Sequence, residues 1–326
     1  MKTATAAHTA EIKAVHEEIL LRSSARNRFI KTRTGRVHLI EAGDGPPVLL
    51  FNGSGPSALH MLPLLEKVER AWTIVVDRPG FGLSDPADVP KKDFRRAAEE
   101  FVEGVMDALG VDRAVVGGNS MGGTIATWYA LARPERVRGL ILIGAAPLFP
   151  GTSVPGMLRL VVSPIGTLLG KLMKPTPKLV VQNMKAFGEG ETITRYPELI
   201  NAQVVAGEDK AYANASTGEL QTIISVRGFR SGFLLSDADL EGIPCPTQII
   251  WGTNDPLGGT DVAKRIAGAI SDCRLEILDA GHGPWFGHPE KVAKTICEFA
   301  TQDSPTTSPL RPSSTHGSRH SSSDAV

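Results

Sequence analysis

A serine set among glycines at residues 115–123 constrains this chain more than any other feature. The run reads Val-Val-Gly-Gly-Asn-Ser-Met-Gly-Gly, with Ser120 near its centre. Two β-branched residues predict a strand before the serine, and residues 124–133 are compatible with a helix after it. A sharp strand-to-helix turn leaves little room for side chains, which accounts for Gly118 and Gly122. We therefore expect the Ser120 hydroxyl to be exposed at a helix N-terminus, where backbone N–H groups stabilise negative charge.

The glycine pattern alone is a weak signal. Because the chain has 34 glycines in 326 residues, a chance match around one of its serines has a probability of about 0.2. If the serine is a nucleophile, the chain must also supply an acid, then a histidine, and an upstream loop with backbone N–H donors. Each of these can be sought separately.

The acid follows a strand predicted at residues 246–252, where Asp255 lies in a turn. An earlier strand, predicted at residues 140–143, has no carboxylate at its end. Asp261 is an alternative acid, but the apolar periodicity after it is typical of the first turn of a helix. We therefore assign Asp255 as the residue that orients a histidine.

The histidine follows the last predicted strand, residues 274–278, which leads into a loop containing His282. A histidine in this loop can reach the serine from the same edge of a sheet. His288 is the alternative. It precedes Pro289 at the start of a predicted helix, where a solvated or capping role is expected. We therefore assign His282 as the general base.

The upstream loop follows a strand predicted at residues 47–51 and consists of Asn52, Gly53, Ser54, Gly55 and Pro56. Its N–H groups can form an oxyanion hole, although a plain turn between a strand and a helix gives the same pattern. A glycine-rich turn separates this strand from the one predicted at residues 37–41, so we expect the two strands to be neighbours. After a further strand, we expect Asp77 to stabilise a turn by accepting hydrogen bonds from loop N–H groups.

The alternation of strands and helices predicts an α/β fold with a mostly parallel, doubly wound sheet. We expect residues 28–147 and 241–300 to form this core. The alternation stops at residues 148–240, whose periodicity predicts a helical lid with a kink at Pro164. An amphipathic helical extension is expected over residues 1–27. The polar, Ser- and Thr-rich residues 301–326 are expected to be disordered.

Composition excludes several classes of function. Lysine plus arginine and aspartate plus glutamate number 35 each, so net charge indicates no nucleic-acid partner. The charged N-terminus and the lack of long apolar runs predict a cytoplasmic protein without stable membrane insertion. No metal-ligand spacing or dinucleotide fingerprint is found, so we expect neither metal nor cofactor. The three cysteines are expected to pack in the core. The expected partner is a small-molecule substrate. A homodimer is possible, and the sequence does not decide the oligomeric state.

Residues 148–188 contain basic residues and no acidic one. The basic residues are Arg159, Lys171, Lys174, Lys178 and Lys185. This pattern has two interpretations of equal weight. It is either a solvated basic face or a surface that attracts anionic substrates or a membrane.

With the glycine loop, Ser120, Asp255 and His282 in this order, the chain resembles the α/β-hydrolase superfamily. Within that superfamily, Gly-Asn-Ser-Met-Gly-Gly around Ser120 and Gly-Ser-Gly-Pro from Gly53 look like the meta-cleavage-product hydrolases. Those enzymes break carbon–carbon bonds in dienoate ketones. Two positions differ from them. Asn52 stands where they usually have histidine, and His282 is followed by glycine where they place tryptophan.

The resemblance implies nucleophilic catalysis. His282 accepts the proton of Ser120 as its oxygen attacks a carbonyl carbon, and Asp255 orients the imidazole. The backbone N–H groups of Met121 and Ser54 hold the oxyanion. The residues expected to contact the substrate are Asn52, Gly53, Asn119 and Trp285.

From the sequence, the expected substrate is a carboxylic ester of small to medium size and partly apolar character, because the two differing positions lie at the catalytic centre. A carbon–carbon bond hydrolase of the meta-cleavage-product type is the alternative. It would need a cationic anchor for the substrate carboxylate. The arginines available in the insertion are Arg159, Arg195, Arg227 and Arg230. A hydrolase-like ligand receptor is a third reading.

Overall fold

The computed structural model describes residues 2–55, 57–86 and 91–302, without the side chains of residues 2–9 and 171. Within these residues, eight strands form one sheet and two short strands form a separate hairpin. In chain order the strands are β1 (Arg26–Thr32), β2 (Gly35–Ala42), β3 (Pro47–Phe51), β4 (Trp72–Val76), β5 (Ala114–Asn119), β6 (Val137–Ile143), β7 (Ile224–Ser225), β8 (Gly228–Phe229), β9 (Thr247–Gly252) and β10 (Cys273–Leu278).

The large sheet has the order β1-β2-β4-β3-β5-β6-β9-β10. Its β1–β2 and β2–β4 pairs are antiparallel, and every other pair of neighbours is parallel. The carboxyl ends of parallel strands lie at one edge of a sheet. The loops after β3, β5, β9 and β10 therefore meet there, which places the four predicted functional segments together.

The helices in chain order are α1 (Lys2–Leu20), α2 (Leu62–Leu65), α3 (Phe94–Leu109), α4 (Met121–Ala132), α5 (Gly156–Val162), α6 (Pro164–Leu172), α7 (Pro177–Ala186), α8 (Pro197–Glu208), α9 (Lys210–Ile223), α10 (Asp237–Glu241), α11 (Thr260–Ala269) and α12 (Pro289–Thr301). Helix α3 shows how the sequence sets these bounds. Its apolar face is buried, and it is capped after Leu109 by Gly110, whose left-handed conformation (φ 68°) suits glycine.

The predicted α/β class and mostly parallel sheet are confirmed, but two details of the sheet differ from the prediction. Strand β1 was not predicted, because five of its seven residues are charged or polar and only Ile30 is buried. The expected pairing of β2 with β3 is wrong, since β4 lies between them. Strand β4 pairs antiparallel with β2 and parallel with β3, which places it between them.

Residues 148–240, which we call the cap segment, contain α5 to α9, the β7–β8 hairpin and most of α10. The segment is mostly helical, and its role as a lid stays a prediction. At Pro164 the predicted kink is a break, because α5 ends at Val162 and the proline occupies the first turn of α6. The domain boundaries, including the 1–27 extension that overlaps β1, stay predictions. Residues 303–326 of the predicted tail and Pro56 of the glycine loop lie outside the described residues.

Two further expectations can be compared with the described residues. All three cysteines are free, with Cys245 and Cys297 buried and Cys273 partly buried, which agrees with a packing role. Asp77 accepts backbone hydrogen bonds from Ala58 (2.6 Å) and Leu83 (3.1 Å), so its predicted role in the turn is confirmed. Among the described helices, none has the length and apolar character needed to cross a bilayer.

Two buried histidines make the stability of the fold depend on pH. His16 of α1 and His60, in the turn before α2, are both buried, and burial lowers the pKa of each to about 4 from 6.5. The unfolded chain therefore binds protons at these sites between pH 6.5 and 4 that the folded protein does not bind. The contribution of the two neutral histidines to stability is therefore fully present above pH 6.5 and is lost as the pH falls toward 4.

We expect the free energy of unfolding of the wild-type protein to decrease between pH 7 and 4.5, with each histidine contributing about 2–3 kcal/mol. His16→Leu should reduce the decrease by one such contribution. Urea unfolding at the two pH values measures both proteins. An equal decrease in the wild type and the variant would show that His16 is not held neutral in the folded state.

Candidate active site

Ser120 lies in a strained turn between β5 and α4. Its backbone has φ 53° and ψ −123°, a conformation that non-glycine residues rarely adopt. The positions on either side of the turn must be glycine for steric reasons. A Cβ atom would lie 2.2 Å from the Phe51 carbonyl oxygen at Gly118, and 2.0 Å from the same oxygen at Gly122. The turn therefore has the form that the sequence predicted for a nucleophile.

His282 and Asp255 are paired at the same edge of the sheet. His282 Nδ1 lies 2.8 Å from Asp255 Oδ2, and both residues are buried. The carboxylate also accepts backbone hydrogen bonds from Ala145 (2.8 Å, at Oδ2) and Leu257 (3.0 Å, at Oδ1). These contacts fix the carboxylate. Because Nδ1 donates to it, the neutral imidazole has its lone pair at Nε2, as a general base requires.

Ser120 and His282 line one cavity of about 260 Å³. Four other predicted residues, Gly53, Ser54, Asn119 and Trp285, also line it. Gly53 lies directly against the turn, since a Cβ on it would be 3.1 Å from Ser120 Cβ. The remaining wall is largely apolar and comes mostly from the cap segment. Its apolar side chains include Met157, Leu158, Val161, Leu220, Ile223 and Phe229.

Arg78, in the loop after β4, orients the backbone of the glycine loop. Its Nε donates to the carbonyl oxygen of Asn52 (2.8 Å), and its Nη2 donates to that of Gly53 (2.9 Å). In a trans peptide unit the C=O and N–H groups point in opposite directions. The N–H groups of Gly53 and Ser54 therefore point away from Arg78, so that they are free of this contact and can serve as donors elsewhere.

The Arg78 guanidinium is paired with Glu219 of α9. Nη2 lies 3.1 Å from Glu219 Oε1, Nη1 contacts the other carboxylate oxygen, and the Ser54 hydroxyl donates to Glu219 as well. Both charged side chains are almost completely buried. A buried pair of this kind is stable only when its geometry and hydrogen bonds are complete. The conformation of the glycine loop is therefore coupled to the docking of the cap segment.

Three residues predicted to contact the substrate form side-chain hydrogen bonds with other protein atoms. The Asn119 amide nitrogen donates to the carbonyl oxygens of Ile143 (2.9 Å) and His282 (3.0 Å), so it also holds the histidine loop. Trp285 Nε1 donates to the His60 carbonyl oxygen at 2.7 Å. The Asn52 side chain donates to Gly53 O and accepts from Arg78 N, outside the cavity wall. Substrate contacts by these residues stay predictions.

Glu189 is a cavity residue that the sequence did not single out. It is completely buried, its Oε1 accepts the Gly283 N–H at 3.1 Å, and Thr192 donates to Oε2. Burial raises the pKa of its carboxyl group above the usual value. Glu189 thus connects the cap segment to the residue after His282. It follows a glycine in an insertion without a motif, so no sequence signal marked it.

No lysine or arginine is found among the described residues that line the cavity. The four arginines considered as anchors are all exposed to solvent, and none is part of the wall. They are Arg159, Arg195, Arg227 and Arg230. The cavity therefore offers a substrate neutral hydrogen-bonding groups, apolar side chains and the Glu189 carboxyl group.

Comparison with known proteins identifies the family. The family model for the alpha/beta hydrolase fold matches residues 46–289. A 2-hydroxy-6-oxononadienedioate/2-hydroxy-6-oxononatrienedioate hydrolase from Klebsiella pneumoniae is 28% identical over 300 residues, covering 85% of this chain and 96% of that protein. A hydrolase of the same name from Paraburkholderia phymatum is also 28% identical, over 293 residues, covering 86% and 97% of the two chains.

Solved structures show the same fold. Naproxen esterase from Bacillus subtilis superposes with a TM-score of 0.65 at 18% identity, covering 88% of this chain and 96% of the esterase. A meta-cleavage product hydrolase from Pseudomonas fluorescens gives a TM-score of 0.65 at 23% identity, covering 83% and 96%. Since the family model spans most of the chain and the relatives are hydrolases, this protein belongs to the α/β hydrolase fold family and is a hydrolase.

Proposed function

We propose that this protein is a serine hydrolase in which Ser120 attacks a carbonyl carbon. The proposal is carried by one observation. Ser120, in its strained turn, lines the same cavity as His282, whose Nδ1 contacts Asp255. His282 Nε2 accepts the proton of the serine hydroxyl during the attack, and Asp255 stabilises the imidazolium. The Ser54 and Met121 N–H groups stabilise the negative oxygen of the tetrahedral intermediate.

The Arg78 contacts support the role of the Ser54 N–H. Because Arg78 binds the Gly53 carbonyl oxygen, the Ser54 N–H points away from Arg78, while Ser54 and Ser120 line the same cavity. Met121 is the first residue of α4, where an N–H has no partner within the helix. These contacts support the proposal that the two N–H groups, from separate elements, form the oxyanion hole.

We propose that the bond cleaved is a carbon–carbon bond beside a ketone. The curated relatives, similar over nearly their whole length, are named for hydrolysis of hydroxy-oxo-dienedioates. In this reaction the leaving group is a stabilised carbanion, which takes a proton at carbon from the His282 imidazolium as the bond breaks. Water then releases the acyl group from Ser120. This order reverses the ranking expected from the sequence, where the ester came first.

Hydrolysis of a carboxylic ester is the second candidate, and the cavity wall favours it. A dienedioate carries two carboxylates, whereas the described lining residues include no cation and do include Glu189. Transfer of an unpaired carboxylate into such a site costs several kcal/mol. Removing the carboxylate at the acyl end reduces this cost, so we propose that the acyl end of the substrate is apolar in either reaction, in contrast to the dioates in the relatives' names.

A parallel assay tests this proposal. We expect a vinylogous diketone acid with an apolar acyl end to be cleaved at least tenfold, or about 1.4 kcal/mol in activation free energy, more efficiently than the matching dioate. It should also exceed a p-nitrophenyl ester with the same acyl group. Ser120→Ala is the blank. If the ester is cleaved while both diketones are inert, the carbon–carbon assignment is wrong and the ester reading stands.

A further inference from the structure

Helix α6 carries an apolar face that points outward. Within α6, Ile165, Leu168, Leu169 and Leu172 follow the spacing of one helix face, yet each is exposed by between 48% and 73%. The opposite face is attached to the protein, since Gln221 of α9 donates to Thr167 at 3.1 Å. The orientation of the helix is therefore fixed with its apolar face toward solvent.

This face continues onto neighbouring residues. Leu160 of α5 and Met173 after α6 are 57% and 54% exposed. We define the cap patch as Leu160, Ile165, Leu168, Leu169, Leu172 and Met173. Six large apolar side chains exposed within residues 160–173 are uncommon on a soluble monomer and indicate a contact surface. On its inner side, α5 contributes Leu158 and Val161 to the wall of the active-site cavity.

The charge around the cap patch identifies the chemistry of the contact. Residues 148–188 contain five basic residues and no acidic one. Among them, Arg159, Lys174 and Lys178 are exposed close in sequence to the patch. Outward apolar side chains flanked by lysine and arginine match a lipid bilayer with anionic headgroups, where the apolar groups enter the interface and the cations meet phosphate.

A second copy of this chain fits the patch less well. A two-fold dimer places the same surface against itself. Here that arrangement would bring two basic, acid-free segments together. We propose that the cap patch docks this protein on the surface of an anionic membrane, with α5 and α6 lying in the interface. This inference is independent of the bond that the active site cleaves.

Vesicle sedimentation tests the proposal with the full-length protein. We expect it to sediment with vesicles of phosphatidylcholine and phosphatidylglycerol, and to bind pure phosphatidylcholine about tenfold more weakly. Leu168→Ser/Leu172→Ser and Lys174→Glu/Lys178→Glu should each weaken binding to the mixed vesicles about tenfold or more. These side chains are exposed, so the melting temperature should stay unchanged, which serves as the folding check.

Matched controls separate the cap patch from general stickiness. Leu21→Ser changes an apolar side chain that is 86% exposed elsewhere, and Lys31→Glu/Lys264→Glu reverses two exposed charges outside the cap segment. Both control proteins should bind like the wild type. Absence of wild-type binding, or equal losses in control and patch variants, overturns the proposal. So does a wild-type dimer that Leu168→Ser/Leu172→Ser dissociates, since a second copy would then cover the patch.

Discussion

Ser120→Ala and His282→Ala are each expected to lower kcat by about ten-thousandfold to a millionfold. The nucleophile and its base act as one unit, so that loss of either removes the covalent route. Asp255→Asn should lower kcat somewhat less, by about a thousandfold to ten-thousandfold, because the histidine remains but loses its orienting carboxylate. Steady-state kinetics on the best substrate of the parallel assay measures all three variants.

His288→Ala is the control for this experiment. His288 is the other histidine near the C-terminal edge, and its Nε2 contacts the Asp279 carbonyl oxygen (3.0 Å) outside the cavity wall. The kcat of His288→Ala should stay within about threefold of the wild-type value, since His288 contacts neither Ser120 nor the substrate cavity. A loss as large as that of His282→Ala, with folding intact, would show that the base has been misassigned.

Arg78→Met is expected to have the second largest effect, on both stability and turnover. It leaves the Glu219 carboxylate buried without its partner, which should cost about 3–5 kcal/mol of stability. It also frees the carbonyl oxygens of Asn52 and Gly53, so the Ser54 N–H loses its orientation. Loss of one oxyanion donor should lower kcat about a hundredfold to a thousandfold. Urea unfolding and kinetics measure the two effects.

A double variant separates stability from catalysis. Arg78→Met/Glu219→Leu removes both charges and should recover much of the lost stability, because a well-packed apolar pair can replace a buried ion pair. It should not recover kcat, since the glycine loop still lacks its anchor. A trifluoromethyl ketone, which forms a tetrahedral adduct, should lose affinity in parallel with kcat/KM. Full recovery of turnover in the double variant would limit Arg78 to a structural role.

The part of the site that was predictable from sequence is the part that local sterics determine. Gly118 and Gly122 mark the turn around Ser120 because any side chain there would collide with the Phe51 carbonyl oxygen. The contact between Asp255 and His282 was predictable because each residue follows a strand, and parallel strands bring such loops to one edge. These inferences need only the backbone path, which alternating strands and helices already specify.

The part that was missed depends on contacts between distant segments. Arg78 and Glu219 are 141 residues apart, and Glu189 reaches the His282 loop from the cap segment. Nothing in the periodicity of the cap helices says which side chain enters the core. The order of β2, β3 and β4 was mispredicted for the same reason. Their turn signals were visible, but the partner of each strand depends on burial across the whole sheet.

Covalent labelling tests the central claim most directly. A fluorophosphonate ester should react once per chain, and peptide mass spectrometry should locate the label on Ser120. Labelling of His282→Ala should be slower by several orders of magnitude, because the hydroxyl is not activated without its base. Labelling of another residue, or an unchanged rate in His282→Ala, would contradict the assignment of Ser120 and His282 as nucleophile and base.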